Sequence, residues 1–175
     1  FGESSNGFNE EYSQADLIDV GCESSRPGAN PLSAEDEIQR LNHFLEYLAS
    51  FHQPLSIDTY KPEVARYALQ NGFEMINDIQ GGGNGDMFEV AVEYACPIVI
   101  MHMAGNPKTM QNSPFYNDVV EDVKIYFEKQ ISLAKTIGIK ESQIILDPGI
   151  GFGKKIEDNY TLLKNIPELK KLGFP

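Results

Sequence analysis

Short apolar runs that each break off on a polar residue recur along the chain: DLIDVG (16–21), LSIDT (55–59), EMINDI (74–79), PIVIMHM (97–103) and QIILDPG (143–149). Runs this short, rich in β-branched residues and bounded by polar or turn-forming ones, predict buried strands. Between them apolar residues recur at helical spacing. SAEDEIQRLNHFLEYLAS (33–50) opens on Ser33 with Asp36 three residues on, an N-cap pairing, and then carries Ile38, Leu41, Leu45 and Leu48 on one predicted face. KPEVARYALQNG (61–72) has Pro62 in its first turn and Gly72 as its stop. GDMFEVAVEYA, NDVVEDVKIYFEKQISLAKTIG and IEDNYTLLKNIPELKKLG complete the alternation, and no hairpin signal interrupts it.

Alternating strands and helices predict an α/β fold with a parallel sheet, either doubly wound or closed as a (β/α)8 TIM barrel. The strand ends choose between them. A doubly wound sheet concentrates its site at one switch point, whereas a barrel gathers residues from many strand ends onto one face. Here nearly every run ends in polar groups: Asp19, Asp58 with Thr59, Asn77 with Asp78, His102 and Asp147. That favours the barrel. A complete one takes about 250 residues, so this chain of 175 predicts an incomplete barrel lacking the first strand and the last two. The whole of 1–175 is expected to be one partial barrel domain. The start on Phe1 and the end on Phe174 and Pro175 suggest a piece of something longer, and the bare Ser13–Gln14 spacer before the first run, too short for a crossover, implies either a helix cut from the sequence or an abnormal first loop.

Composition narrows the function classes. A net charge of -12 argues against a nucleic-acid binder, which gains affinity by releasing counterions with Lys and Arg. No run approaches the roughly 18 apolar residues of a membrane span, and FGESSNGFNEEY is no signal peptide, so a cytoplasmic protein free of membrane is expected. Cys22 and Cys96 lie far apart and outside any CxxC spacing, which predicts free thiols and no zinc site.

The chemistry concentrates at the strand ends. Ser56 shares a strand face with Asp58, Met75 and Ile79 with Asn77, and Ile145 with Asp147, so Asp58, Asn77 and Asp147 would converge if those faces point into a barrel mouth. Two carboxylates and an amide suit a flat heterocycle rich in N–H. The plainer reading is that each acid caps the helix that follows. In GCESSRPGA (21–29), Arg26 would fork onto an anion, or else pair with a nearby acid in a solvated loop. GGGNGD (81–86) lacks the GxGxxG spacing and reads as a flexible linker. In MHMAGNPKTMQ (101–111), Met101 and Met103 share a face and would floor a pocket or serve as ordinary core, and His102 is a weak candidate for a general base. Within IILDPGIGFGKK (144–155), Phe152 looks the most exposed aromatic of the chain. Lys154 and Lys155 would meet an anion or only solvent.

Taken in order, IDVGCESSRPGA, SIDTYKPEVA, INDIQGG, IVIMHMAGNPKTMQ and ILDPGIGFGKK resemble the dihydropteroate synthase family of pterin-binding TIM barrels. The resemblance implies a transferase of folate biosynthesis and a target of sulfonamides. It would join (7,8-dihydropterin-6-yl)methyl diphosphate to 4-aminobenzoate, releasing pyrophosphate with the help of Mg2+. By motif match Asp58, Asn77 and Asp147 would hold the pterin, with Ile79, Met103 and Phe152 around it. Ser25, Arg26 and Pro27 would meet the diphosphate and the 4-aminobenzoate, Ser25 and Arg26 having the catalytic part. The resemblance further implies a homodimer at full length. Cys22 stands where that family usually has Gly, which raises a question of backbone freedom, and Ser25 where Thr is usual. The family's Asn that touches magnesium, and its later Lys, Arg and His motifs, have no counterpart here, so no metal ligand is expected in the chain. A pterin-dependent methyltransferase acting on a corrinoid, or a pterin-binding fragment without activity, are the alternatives.

Overall fold

A computed structural model describes residues 14–24, 30–48, 51–103 and 115–175. The strands are β1 (Ile18–Gly21), β2 (Leu55–Asp58), β3 (Met75–Asp78), β4 (Ile98–Met101) and β5 (Ile144–Asp147), each inside a run predicted above. All neighbours are parallel, and the spatial order is the chain order, β1-β2-β3-β4-β5. Right-handed crossovers that always step in the same direction leave every helix on the same side of the sheet, as in a barrel. A doubly wound sheet would reverse direction at least once.

The helices are α1 (Ala34–Leu45), α2 (Pro62–Gln70), α3 (Asp86–Glu93), α4 (Val119–Ile137), α5 (Ile156–Lys164) and the short α6 (Ile166–Leu169). Their ends follow local chemistry. Ser33 caps α1, its hydroxyl accepting the Asp36 N–H at 3.1 Å and donating to the Asp36 carboxylate at 2.7 Å. Asp118 caps α4 by accepting from Val120 and Glu121, and Gly138, in the left-handed region, ends it. The last predicted helix is broken instead of continuous. It stops at Asn165, and Pro167, which cannot donate back along a helix, opens the next turn.

One face of the sheet makes the core. Ile57, Ile76, Ile98, Ile100 and Ile144 are shut away against Leu41, Phe88, Val123, Phe127 and Leu162 of the helices. Burying each such side chain stabilises the fold by about 1.5–3 kcal/mol. The buried face of α1 is turned from the expected one. Glu37, Leu41 and Phe44 are buried, while Ile38, Leu45 and Leu48 are only half-buried, because Glu37 reaches inward for an ion pair with Lys61.

Candidate functional site

Alternation along the strands sends their other residues to the opposite, inner face. In register, Asp19 pairs with Ser56 and Ser56 with Met75, and the next layer runs Gly21, Asp58, Asn77, Val99 and Ile145. Asp58 and Asn77 are therefore neighbours across one strand spacing, about 4.8 Å. Asp147 pairs with Met101, two residues beyond Ile145 and on the same face. The structure thus brings Asp58, Asn77 and Asp147 to the C-terminal ends of one sheet face. Ile79 is buried just past β3, Met103 is half-buried past β4, and Phe152 is half-buried in the loop after β5. Phe152 is not the most exposed aromatic, since Phe115 is 75 % and Tyr160 70 % exposed. Ser25, Arg26 and Pro27 lie outside the described residues.

Asp58 leans across β1: its Oδ2 stands 3.2 Å from the place a Cβ would take at Gly21, so a larger residue there would push on the carboxylate. Burial, with the nearby charges of Asp19, Glu37, Asp78 and Glu23, raises the Asp58 pKa to about 7. Asp58 is accordingly a carboxyl poised between its two forms at neutral pH. Asp147 accepts the Gly149 N–H at 2.7 Å, which turns the chain out of β5. Neither acid caps its following helix: α2 has no side-chain cap, and at the start of α5 it is Asp158 that accepts the Lys155 N–H at 3.0 Å.

A residue left out of the predicted site closes this group. Asp19 accepts from Ser56 Oγ at 2.6 Å and from Asn77 Nδ2 at 2.8 Å. With one of its two amide N–H donors engaged, Asn77 has its carbonyl oxygen to offer beside the carboxylates of this face. The signal was present in the sequence: Asp19 holds the same position in its run as Ser56 does in the next.

Asp78 faces the other way. It accepts from Gln80 N at 2.8 Å and Gly82 N at 2.7 Å, and burial outweighs these bonds in raising its pKa to about 6. The GGGNGD stretch is consequently a packed turn, with Gly81, Gly82 and Gly85 buried, and not the flexible linker predicted. His102 is buried and neutral near pH 7. Burial, with the charge of Lys154, lowers its pKa to about 4, and its ring lies edge-on to Tyr126 at 4.9 Å. Lys154 meets neither anion nor solvent: it is 4 % exposed and donates to backbone carbonyls.

The ends of the loop after β1 are fastened. Glu23 accepts from Tyr60 Oη at 2.6 Å, from Leu32 N at 2.9 Å and from Lys61, which also reaches the fully buried Glu37 at 2.7 Å. Arg40 donates to the Cys22 carbonyl at 3.1 Å. Cys22 has no positive φ, so a side chain where glycine is usual costs no backbone strain, and both cysteines are free thiols. Among the described residues no group of three or more His, Cys, Asp or Glu is placed to hold a metal ion, and no helix is long and apolar enough to cross a membrane.

The family model described as pterin binding enzyme matches residues 13–175. A dihydropteroate synthase of Synechocystis sp. is 46% identical over 92% of this chain, and one of Escherichia coli K12 is 44% identical over 92%. The chain spans 56% and 57% of the lengths of these two relatives. Among solved structures, Yersinia pestis dihydropteroate synthase with a sulfonamide drug is 40% identical, with a TM-score of 0.87 over 92% of this chain and 59% of its own. The Xanthomonas albilineans enzyme with 4-aminobenzoic acid is 38% identical, with a TM-score of 0.86 over 94% and 59%. The fold is thus the TIM barrel, in part.

Proposed function

The chain belongs to the pterin binding enzyme family, and on that premise we propose that its inner sheet face binds a reduced pterin for the synthesis of dihydropteroate. The observation that carries this is the group of acceptors, Asp58, Asn77 and Asp147, on one face at the ends of β2, β3 and β5. The relatives' names and the ligands in the solved structures support it.

On this reading, Asp58 and Asp147 accept N–H groups of the pterin edge, Asn77 is aimed by Asp19, and Ile79, Met103 and Phe152 flank the ring. The substrate is (7,8-dihydropterin-6-yl)methyl diphosphate. Its methylene C–O bond breaks, the diphosphate leaves with the bonding pair, and the 4-aminobenzoate nitrogen forms a new C–N bond and gives up a proton. The protein's part is positioning and electrostatics, since no covalent nucleophile is required. Ser25, Arg26 and Pro27 are assigned to the diphosphate and the aminobenzoate, on a loop whose ends Glu23 and Arg40 hold. The described residues do not form a magnesium site, so no step is assigned to the ion here. The same reading makes this a cytoplasmic homodimer, which sedimentation would check.

The test is to express the whole reading frame and supply both substrates. Dihydropteroate and pyrophosphate should appear in equal amounts. Pterin binding without product would leave a binding protein, and no pterin binding would refute the reading.

A further inference from the structure

Lys154 lies between the end of β4 and the loop after β5. Its Nζ donates to the carbonyls of His102 at 3.1 Å, Gly149 at 2.9 Å and Phe152 at 3.0 Å. An ammonium has three N–H donors and no acceptor, so each proton has its own carbonyl. A neutral amine would turn a lone pair on one of them. Gly149 is part of the same fit, for at its φ of +65° a Cβ would collide with the His102 carbonyl oxygen.

The rest of the loop is wired around this centre. Phe152 N–H donates to Gly149 O at 3.0 Å, Gly151 N–H to Asn159 Oδ1 at 2.8 Å, and Tyr116 Oη to Gly153 O at 2.9 Å. Gly149 N–H in turn holds the Asp147 carboxylate. One buried charge therefore ties Phe152 and Asp147 to the neighbouring strand.

We propose that Lys154 is a positioning residue of the pterin pocket, its ammonium acting as a three-pronged pin that sets the 149–152 backbone, and with it Phe152 and the Asp147 carboxylate, against the end of β4. The inference rests on the pterin reading above. The groups facing Lys154 are Asp147 from β5, Asp158 from α5, and His102 beyond β4, which is neutral near pH 7. Burial outweighs the two acids and lowers the Lys154 pKa to about 8. The pin is complete below that pH and loses a prong above it.

The experiment measures binding of 6-hydroxymethyl-7,8-dihydropterin to the whole-reading-frame protein and to Lys154→Met, between pH 6.5 and 9.5. Wild-type affinity should fall several-fold as pH rises through about 8. The variant should bind roughly tenfold more weakly at pH 7 and lack that limb; a limb belonging to the ligand would persist in both. Hydrogen exchange supplies a readout that needs neither ligand nor variant. Protection of the Gly149 and Phe152 amides, corrected for intrinsic rate, should shift through the same pH relative to that of α4. Wild-type affinity and an unchanged pH profile in the variant would overturn the pin, as would flat protection of those amides should the variant fail to fold. A wild-type protein that binds no pterin would overturn the pocket reading itself, whatever the amides show.

Discussion

Lys61 and Lys154 are both drawn out of water at the C-terminal end of the sheet, and their surroundings are opposite. Around Lys61 burial works against the charge, but hydrogen bonds to Glu23 and Glu37 outweigh it and raise the pKa. Lys154 has backbone carbonyls as its hydrogen-bond partners, and burial outweighs the charges of Asp147 and Asp158. The consequences for stability have opposite signs. Lys61, raised above its unfolded value of 10.5, stabilises fully below that pH, and the contribution is lost as pH climbs through the folded value. Lys154 is lowered, so between about pH 8 and 10.5 the unfolded chain binds more protons and stability rises with pH. At neutral pH the first charge holds the fold together, whereas the second is kept at a cost. A charge kept at a cost is there for where it puts its neighbours.

The largest effect should come from breaking the first of the pair. Lys61→Met strands the fully buried Glu37 and most of Glu23 without a counter-charge, which should cost about 3–5 kcal/mol in denaturant unfolding. Lys154→Met should cost under about 2 kcal/mol, because the orphaned carbonyls are set against removal of a disfavoured charge. A reversed order of these two losses would break the comparison.

Much of this was legible in the sequence, and the part that was not has a common cause. Strands and helices follow from periodicity and caps, as Ser33, Gly138 and the isoleucine runs show. The inner-face residues follow from alternation once Asp58, Asn77 and Asp147 are given the same parity. What periodicity cannot supply is a side chain's partner across the sheet. Lys154 looked like surface because lysine usually is, and only the approach of His102 and Gly149 shows that it is walled in. Glu37 falls outside the predicted apolar face of α1, and its counter-ion lies on another element. Asp19 was passed over because its bond to Asn77 joins strands that are not adjacent.

A smaller effect would sharpen the division between pocket and scaffold. Asp19→Asn can donate as well as accept, and so frees the Asn77 amide to turn; pterin affinity should fall by about 1 kcal/mol, or roughly fivefold, with little loss of stability. Smallest of all, Arg66→Ala removes an exposed pair with Glu93 and should change stability by no more than about 0.5 kcal/mol. A larger loss there would mean that exposed charge matters more in this fold than the two buried lysines suggest.

The acceptor face itself is tested most directly by counting protons. Asp58, with its pKa raised to about 7, is partly protonated at neutral pH, and accepting a pterin N–H favours its charged form. Calorimetry of 6-hydroxymethyl-7,8-dihydropterin binding at pH 7, in buffers of different ionisation enthalpy, should show release of a fraction of a proton, with affinity rising as pH climbs through neutrality. Asp58→Asn should abolish that release. Binding with the same proton count in both proteins would contradict the assignment of this face to the pterin.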